Sequence, residues 1–279
     1  MEVVELKHIT KRFGETVANN DVSLSVNSGE ILSILGENGS GKTTLMNMIA
    51  GIYRPDEGQI FINGQEVAIH SPKDAYKYKI GMVHQHYKLV NVFTAAENII
   101  LGQEGKQILD MSTVKAEINK ICDSYGFKLN LDQKIYDMSV SEKQTVEIIK
   151  VLYKGVDILI LDEPTAVLTP QETKSLFDVL RNMRAAGKSV IIITHKLNEV
   201  MEISDRVSVL RKGVYIDTVK TSETSIQALT EMMVGQKIDL DIERSMPVNS
   251  RDILKIEGLT CYNKEGLKAL DNVTFTAKS

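Results

Sequence analysis

Short, mostly apolar runs recur along the chain, at 31–35, 80–83, 158–161 and 190–193. Runs of this length are typical of strands buried on both faces of a parallel sheet. Between them apolar residues recur at helical spacing, over 94–153 with breaks near Gly126 and Asp137, and over 170–186. Strands that alternate with helices predict a mostly parallel α/β core.

The first 30 residues have a different pattern, because apolar and polar residues alternate there and turn residues interrupt them. Alternation predicts half-buried strands, which favours an antiparallel arrangement. The segment 58–64 reads as a strand closed by Asn63-Gly64, a pair typical of hairpin turns. The sequence therefore predicts an antiparallel β part beside the parallel core.

The end of the chain resembles its beginning. The segment 253–260 aligns with 3–10, and the segment 269–276 aligns with 18–25. The residue numbers in the two alignments are offset by 250 and 251. A difference of one residue between them is what a loop of slightly different length produces. We interpret the repeat as the start of a second copy of the first domain, although a C-terminal extension could resemble the opening strands by chance.

The stretch between the repeats is polar and charged and contains Pro247, which is typical of a linker. We therefore predict a nucleotide-binding domain over 1–235, a linker over 236–252, and the first strands of a truncated second domain over 253–279.

Composition narrows the functional classes. The chain has 279 residues, 43% of them hydrophobic, so it can bury a sizeable core. A net charge of −4 gives no reason to expect nucleic acid as a partner. The two cysteines are far apart and suggest neither a disulfide nor a metal site. Apolar runs are far shorter than the roughly 20 residues of a membrane span, so we expect any membrane role to come through a partner.

The segment 36–44 carries the strongest chemical signal. It fits G-x-x-x-x-G-K-[ST], the phosphate-binding loop, and lies between a predicted strand and a predicted helix. Backbone N–H groups and the helix N-terminus would face phosphate, Lys42 could reach the β- and γ-phosphates, and the Thr43 hydroxyl could bind Mg²⁺. The loop residues are Gly36, Glu37, Asn38, Gly39, Ser40, Gly41, Lys42, Thr43 and Thr44.

Polar side chains follow three other predicted strands. Asp162 and Glu163 end the strand at 158–161, His195 follows the strand at 190–193, and Gln85 follows the strand at 80–83. The carboxyl ends of parallel strands share one edge of a sheet, where α/β proteins bind ligands. We expect Asp162 to hold Mg²⁺, Glu163 to act as general base on water, and His195 to reach a γ-phosphate.

The order of these motifs resembles the ATP-binding subunits of ABC transporters over about 1–235. The stretch 138–142 stands where that family has its signature loop, usually Leu-Ser-Gly-Gly-Gln, and Val140 followed by Glu142 is similar to the sugar and nucleoside importer branch. The segments 82–90 and 93–99 resemble the nucleoside importers most.

This resemblance implies a three-part fold with a phosphate-loop core built on a parallel sheet, an antiparallel β subdomain and a helical subdomain. It implies that ATP hydrolysis drives import of a small solute, a nucleoside or a simple sugar. The site residues that it implies fall into four sets. Catalysis would use Glu163, His195, Lys42 and Gln85; ATP would contact Phe13, Val17 and the loop 36–44; Mg²⁺ would bind Thr43, Gln85 and Asp162; and Ser139, Val140, Ser141 and Glu142 would face ATP held by a partner domain.

The sequence departs from the family pattern at Ser141, which replaces the second signature glycine, and at Thr145 and Thr169. A side chain at Ser141 could crowd the phosphate of the partner's ATP or exclude a positive φ. Ser141 and Gln144 have the spacing of a capping box, so we expect them to begin the following helix.

By resemblance, the expected partners are a second ABC domain of the same full-length chain, membrane permease subunits and an extracellular substrate-binding protein, with this chain at the cytoplasmic face of the membrane. One alternative is a soluble tandem ABC protein that acts on the ribosome, but such proteins have a long charged helical linker. Another is a non-hydrolysing nucleotide sensor, which Glu163 and His195 disfavour and Ser141 keeps open.

Overall fold

The structure is a computed structural model, and it describes residues 1–85, 87–102, 110–236, 251–262 and 268–278. The chain forms two compact units, Met1–Ile238 and Asp239–Ser279.

The first unit contains ten strands and eight helices among the described residues. In chain order they are β1 (Glu2–Phe13), β2 (Thr16–Asn27), β3 (Ile31–Leu35), α1 (Lys42–Ile49), β4 (Glu57–Ile62), β5 (Gln65–Val67), α2 (Pro72–Lys77), β6 (Ile80–Val83), α3 (Ala95–Ile100), α4 (Met111–Tyr125), α5 (Val140–Tyr153), β7 (Ile158–Asp162), α6 (Pro170–Ala185), β8 (Ser189–Thr194), α7 (Leu197–Ile203), β9 (Arg206–Arg211), β10 (Val214–Lys220) and α8 (Ile226–Val234). Short 3₁₀ turns cover Ile135–Asp137 and Thr221–Glu223.

A six-stranded sheet forms the centre of this unit, in the order β10-β9-β3-β8-β7-β6. Neighbouring strands from β9 to β6 pair in parallel, and only β10 is antiparallel to its neighbour. Successive residues of β7 contribute to opposite cores, since Leu159 packs with the helices α4 to α6 and Ile160 packs with α1 and the antiparallel strands. The predicted parallel α/β core, with strands buried on both faces, is confirmed.

The antiparallel β part is also confirmed. It is a four-stranded sheet in the order β2-β1-β4-β5. The turn between β4 and β5 is made by Asn63 and Gly64, which both have positive φ, 50° and 78°. Two residues with positive φ are the signature of a hairpin turn whose twist matches that of the strands. The apolar side of β1 and β2 packs against α1, so this sheet lies directly beside the phosphate loop.

The helical part comprises α3, α4 and α5, which contact one another. Gly126 ends α4 with a φ of 83°, and a 3₁₀ turn that closes at Asp137 precedes α5. Both predicted breaks are therefore present, while residues 103–109 of the predicted helical stretch lie outside the described residues.

The predicted start of α5 is wrong. The cap is Ser139, whose Oγ accepts a hydrogen bond from the Glu142 N–H at 3.2 Å, while the Glu142 carboxylate accepts one from the Ser139 N–H at 2.8 Å. Ser139-x-x-Glu142 and Ser141-x-x-Gln144 both fit a capping box, and the earlier pair forms because Gln144 is buried against the core. Ser141 lies in the first helical turn without a positive φ, so the concern about its backbone does not arise.

The second unit is a hairpin of β11 (Asp252–Tyr262) and β12 (Lys268–Lys278). Its pairing reproduces that of β1 and β2 when 250 is added to the first strand and 251 to the second, as in Leu6–Leu24 and Ile256–Phe275. Both hairpins also have a side-chain hydrogen bond where the strand register shifts. It runs from Asp21 N–H to Thr10 Oγ1 in the first hairpin and from Asn272 N–H to Thr260 Oγ1 in the second.

The predicted domain boundaries stay predictions, because residues 237–250 of the predicted linker lie outside the described residues. Within the part of the chain that the structure describes, the helices lack the combination of length and apolar character that crossing a membrane requires.

Candidate functional site

A cavity of about 400 Å³ opens at the carboxyl ends of β3, β6 and β7. Thr16, Val17 and Ala18 of the antiparallel sheet form one wall of this cavity, and the loop from Asn38 to Thr44 forms its floor. Gln85, Asp162 and Glu163 complete the lining. The sheet edge therefore brings together residues from four separate parts of the sequence, as predicted from the strand ends.

The phosphate loop has the geometry that its glycines permit. Gly39 and Gly41 have φ values of 80° and 93°, which residues with side chains rarely adopt. A Cβ at Gly41 would also collide with the carbonyl of Ala18. Both the backbone conformation and the lack of space therefore favour glycine at this position. The loop leads directly into α1, which begins at Lys42, and the N-terminus of a helix favours negative charge.

Lys42 is folded over its own loop. Its Nζ donates hydrogen bonds to the carbonyl oxygens of Gly36 and Glu37 at 2.7 and 2.8 Å, and the residue is only 5% exposed. Burial lowers the pKa of Lys42, and the nearby carboxylates of Glu163, Asp162 and Glu37 oppose that shift. The result is a cation held inside a loop whose shape suits an anion.

Thr43 and Asp162 form an oxygen-rich corner of the same cavity. The Thr43 hydroxyl donates to Asp162 Oδ1 at 3.2 Å, and Gln85 lines the cavity beside them. Burial raises the pKa of Asp162, the hydrogen bond from Thr43 lowers it, and the neighbouring Glu163 raises it further. Hydroxyl, carboxylate and amide oxygens are the ligands that Mg²⁺ prefers, so the residues present fit that ion.

Glu163 is the centre of the predicted catalytic group. Its Oε1 lies 2.9 Å from His195 Nδ1, and its Oε2 lies 3.5 Å from Gln85 Nε2. Because an ionised carboxylate only accepts hydrogen bonds, Nδ1 of His195 is the donor in this pair. His195 and Gln85 therefore each contact Glu163, and Lys42 lies in the same cavity as Glu163.

Two predicted groups lie outside this cavity. Phe13 is 44% exposed and packs edge-on to Tyr53 with ring centroids 5.2 Å apart, so it is not a core aromatic. It pairs across its hairpin with Thr16, which does line the cavity. Ser141 and Glu142 instead line a groove between α5 and α6, away from the phosphate loop of their own chain.

Sequence reasoning missed several residues that support the site. Asn19 is fully buried, and its Nδ2 donates to the carbonyl of Gly41 at 3.2 Å, which braces the phosphate loop from β2. Lys196 and Gln144 hold the segment that follows Glu163. None of these residues carries a recognisable motif, because each acts through a contact between elements that are distant in sequence.

Residues 19–166 match the ABC transporter family profile. The chain is 45% identical to the nucleoside import ATP-binding protein NupA of Lactococcus lactis, over 95% of this chain and 53% of that protein. It is 44% identical to the guanosine import ATP-binding protein NupO of Bacillus subtilis, over 99% of this chain and 55% of that protein. The chain thus spans about half the length of the curated relatives that it matches.

A likeness to solved structures agrees with the sequence comparison. The ADP conformation of MJ1267, an ATP-binding cassette of an ABC transporter, superposes with a TM-score of 0.73 at 26% identity, over 84% of this chain and 95% of that one. A nucleotide-free ATP-binding cassette from an ABC transporter gives a TM-score of 0.71 at 28% identity, over 79% and 92% of the two chains. Both similarities support an ATP-binding cassette fold for the first unit.

Proposed function

The chain belongs to the ABC transporter family, and on that premise we propose that it binds and hydrolyses ATP to energise the import of a nucleoside or a simple sugar. The observation that carries the proposal is one cavity that holds a phosphate loop, an oxygen-rich corner and a carboxylate paired with histidine. The relatives NupA and NupO are named as nucleoside and guanosine import proteins, which supports the nucleoside as the solute class.

The residues divide the chemistry among them. Lys42 and the loop N–H groups bind the β- and γ-phosphates, and the Phe13 ring is available to stack on adenine. Thr43, Asp162 and Gln85 would hold Mg²⁺, which neutralises phosphate charge when it is bound. A water molecule attacks the γ-phosphorus, its proton passes to Glu163, and the bond to the ADP oxygen breaks. His195 orients Glu163 and contacts the γ-phosphate.

The active site we propose is shared between two domains. Ser139 to Glu142 form the signature loop, which lies outside the cavity of its own chain and would face ATP bound by a partner domain. We propose that this partner is a second ABC domain in the full-length protein, for which the repeated hairpin of β11 and β12 gives support. Permease subunits and an extracellular substrate-binding protein complete the importer, with this chain peripheral on the cytoplasmic face.

The two alternatives are less well supported. A sensor that does not hydrolyse ATP would have no use for the Glu163–His195 contact at 2.9 Å. A protein that acts on the ribosome is disfavoured by the import functions in the names of the relatives.

Solute uptake into vesicles that contain the complete importer tests this proposal. We expect uptake of radiolabelled guanosine to require ATP and to fall at least tenfold in Lys42→Met, while ribose is taken up poorly. Lys174→Met, which changes an exposed lysine of α6, is the matched control and should keep full uptake. ATP-dependent uptake of ribose alone would assign a sugar instead, and full activity of Lys42→Met would overturn the proposal.

A further inference from the structure

Gln144 makes an unusual contact between α5 and the catalytic segment. It lies in the second turn of α5, is 4% exposed, and its Nε2 donates a hydrogen bond to the carbonyl oxygen of Pro164 at 2.7 Å. Pro164 directly follows Glu163. The helix that begins with the signature loop is therefore connected by one hydrogen bond to the residue next to the proposed base.

The orientation of this side chain follows from its partner. A carbonyl oxygen only accepts, so the atom that faces Pro164 must be the amide nitrogen of Gln144. The other amide atom, Oε1, is then buried, and none of the described residues donates a hydrogen bond to it. An unsatisfied buried oxygen is destabilising. A methionine of similar shape would remove this unsatisfied oxygen, but it would also leave the carbonyl of the buried Pro164 without the hydrogen bond from Gln144.

The segment that Gln144 holds contains a strained residue. Glu163 has a φ of 46°, a conformation that residues other than glycine adopt rarely. Its N–H donates to the carbonyl of Ile193 at 2.9 Å, and its own carbonyl accepts from the Ala166 N–H at 3.2 Å. These bonds fix the backbone of Glu163 at both of its own polar atoms.

The two residues that follow Glu163 are held by hydrogen bonds from side chains. Pro164 has no N–H, so its carbonyl is the only backbone atom through which a hydrogen bond can hold it, and Gln144 occupies that atom. On the other side, Lys196 Nζ donates to the carbonyl of Thr165 at 2.8 Å. Side chains from two elements, α5 and the N-terminal cap of α7, thus hold the two carbonyls that follow the base.

We propose that Gln144 is a positioning residue for ATP hydrolysis. By holding the carbonyl of Pro164, it keeps Glu163 in its strained conformation, with the carboxylate between Gln85 and His195. Because Gln144 lies on the helix that starts at the signature loop, it also connects the surface that faces the partner's ATP to the base in this chain's own site. The proposal rests on the proposed function, since it requires Glu163 to be the base.

The experiment compares kcat and KM for ATP in the complete importer. Gln144→Met should lower kcat about tenfold and leave KM unchanged, because the lost hydrogen bond positions the base rather than ATP. Asn182→Ala is the matched control. Asn182 also donates an amide hydrogen bond from a helix to a backbone carbonyl, that of Tyr125 at 2.9 Å, and lines the same groove, but it is remote from Glu163. It should keep kcat within twofold of the wild type.

A double-mutant cycle with Glu163→Gln shows whether Gln144 acts through the base. If it does, Gln144→Met should have no further effect on the residual rate of the Glu163→Gln protein. Equal losses in both backgrounds, or equal losses from Gln144→Met and Asn182→Ala, would overturn the inference. Thermal unfolding checks that each variant folds, and Gln144→Leu replaces Gln144→Met if the latter does not.

The same data separate the two proposals. A normal kcat in Gln144→Met together with a slow Glu163→Gln would overturn the role of Gln144 alone. A normal kcat in Glu163→Gln would overturn the base assignment and the role of Gln144 with it.

Discussion

At the residue scale, the site depends on a glutamate held in an unfavourable conformation. A residue other than glycine at positive φ costs about 1–3 kcal/mol and persists only where its surroundings fix it. Glu163 meets that condition, with a φ of 46° and backbone hydrogen bonds to Ile193 and from Ala166. The residue follows β7 directly, which pairs with β8, and its carboxylate lies 2.9 Å from His195 Nδ1.

Phe13 offers a test of how adenine is recognised. Stacking of a base on an aromatic ring contributes about 1–3 kcal/mol, so Phe13→Ala should weaken ATP binding about tenfold and leave binding of inorganic triphosphate unchanged. Phe61→Ala is the control, because Phe61 is an aromatic residue of the same sheet that lies beneath Lys7 Nζ, 4.4 Å from the ring centroid. Isothermal titration calorimetry measures the binding of both ligands. Equal losses of affinity for ATP and for triphosphate would show that Phe13 supports the fold rather than binding of adenine.

The positions of Asp162, Glu163 and His195 could be predicted because polar residues there follow buried strands, and those of Lys42 and Thr43 because they belong to the phosphate-loop motif. The supporting contacts of Asn19 and Gln144 could not be predicted, since each donates to a backbone carbonyl of a segment more than fifteen residues away.

At the element scale, α5 shows how one helix serves two purposes. Its first turn is closed by the Ser139–Glu142 capping box, so Glu142 is already bound to the helix start. Its second turn buries Gln144. The positions predicted to face the partner's ATP therefore belong to a capped helix N-terminus, and Ser141 adds a side chain to its partly exposed first turn.

The capping box predicts different stabilities for two neighbouring serine variants. Ser139→Ala removes the cap and should lower the free energy of unfolding by about 1 kcal/mol. Ser141→Ala should leave it within about 0.5 kcal/mol, because Ser141 is inside the helix, where alanine is favoured. Urea unfolding of the chain, followed by circular dichroism, measures both. A larger loss in Ser141→Ala than in Ser139→Ala would contradict the cap described here.

The elements themselves were largely predictable, because buried apolar runs mark β3, β6, β7 and β8 and alternation marks β1 and β2. The start of α5 was not, since two overlapping Ser-x-x-Glu/Gln patterns satisfy the same local rule. Burial of Gln144 decides between them, and burial is a property of the packed fold.

At the scale of the whole molecule, the described residues include the cavity beside the phosphate loop and a hairpin that repeats the opening strands. The repeat includes pairing register and a side-chain hydrogen bond at the same irregularity. Sequence predicted this repeat from aligned apolar and polar positions.

A shared active site predicts that hydrolysis depends on a partner domain. The isolated chain should bind ATP but hydrolyse it slowly, because in the shared site that we propose the signature loop facing its phosphate loop would belong to another domain. Its rate per molecule should rise with protein concentration as two copies meet. Phosphate release measured over a hundredfold dilution series tests this. A rate per dilute molecule equal to that of the complete importer would contradict the shared site.

We propose that Glu163 is the base of ATP hydrolysis in this cavity, and the hydrolysis rate of Glu163→Gln in the complete importer tests this most directly. The change keeps the shape of the side chain and removes its basicity, so the rate should fall about 10²–10⁴-fold while ATP binding is retained. Glu202→Gln, which alters an exposed carboxylate of α7 near Arg181, is the control and should hydrolyse ATP normally. Turnover of Glu163→Gln at a near wild-type rate would contradict the account.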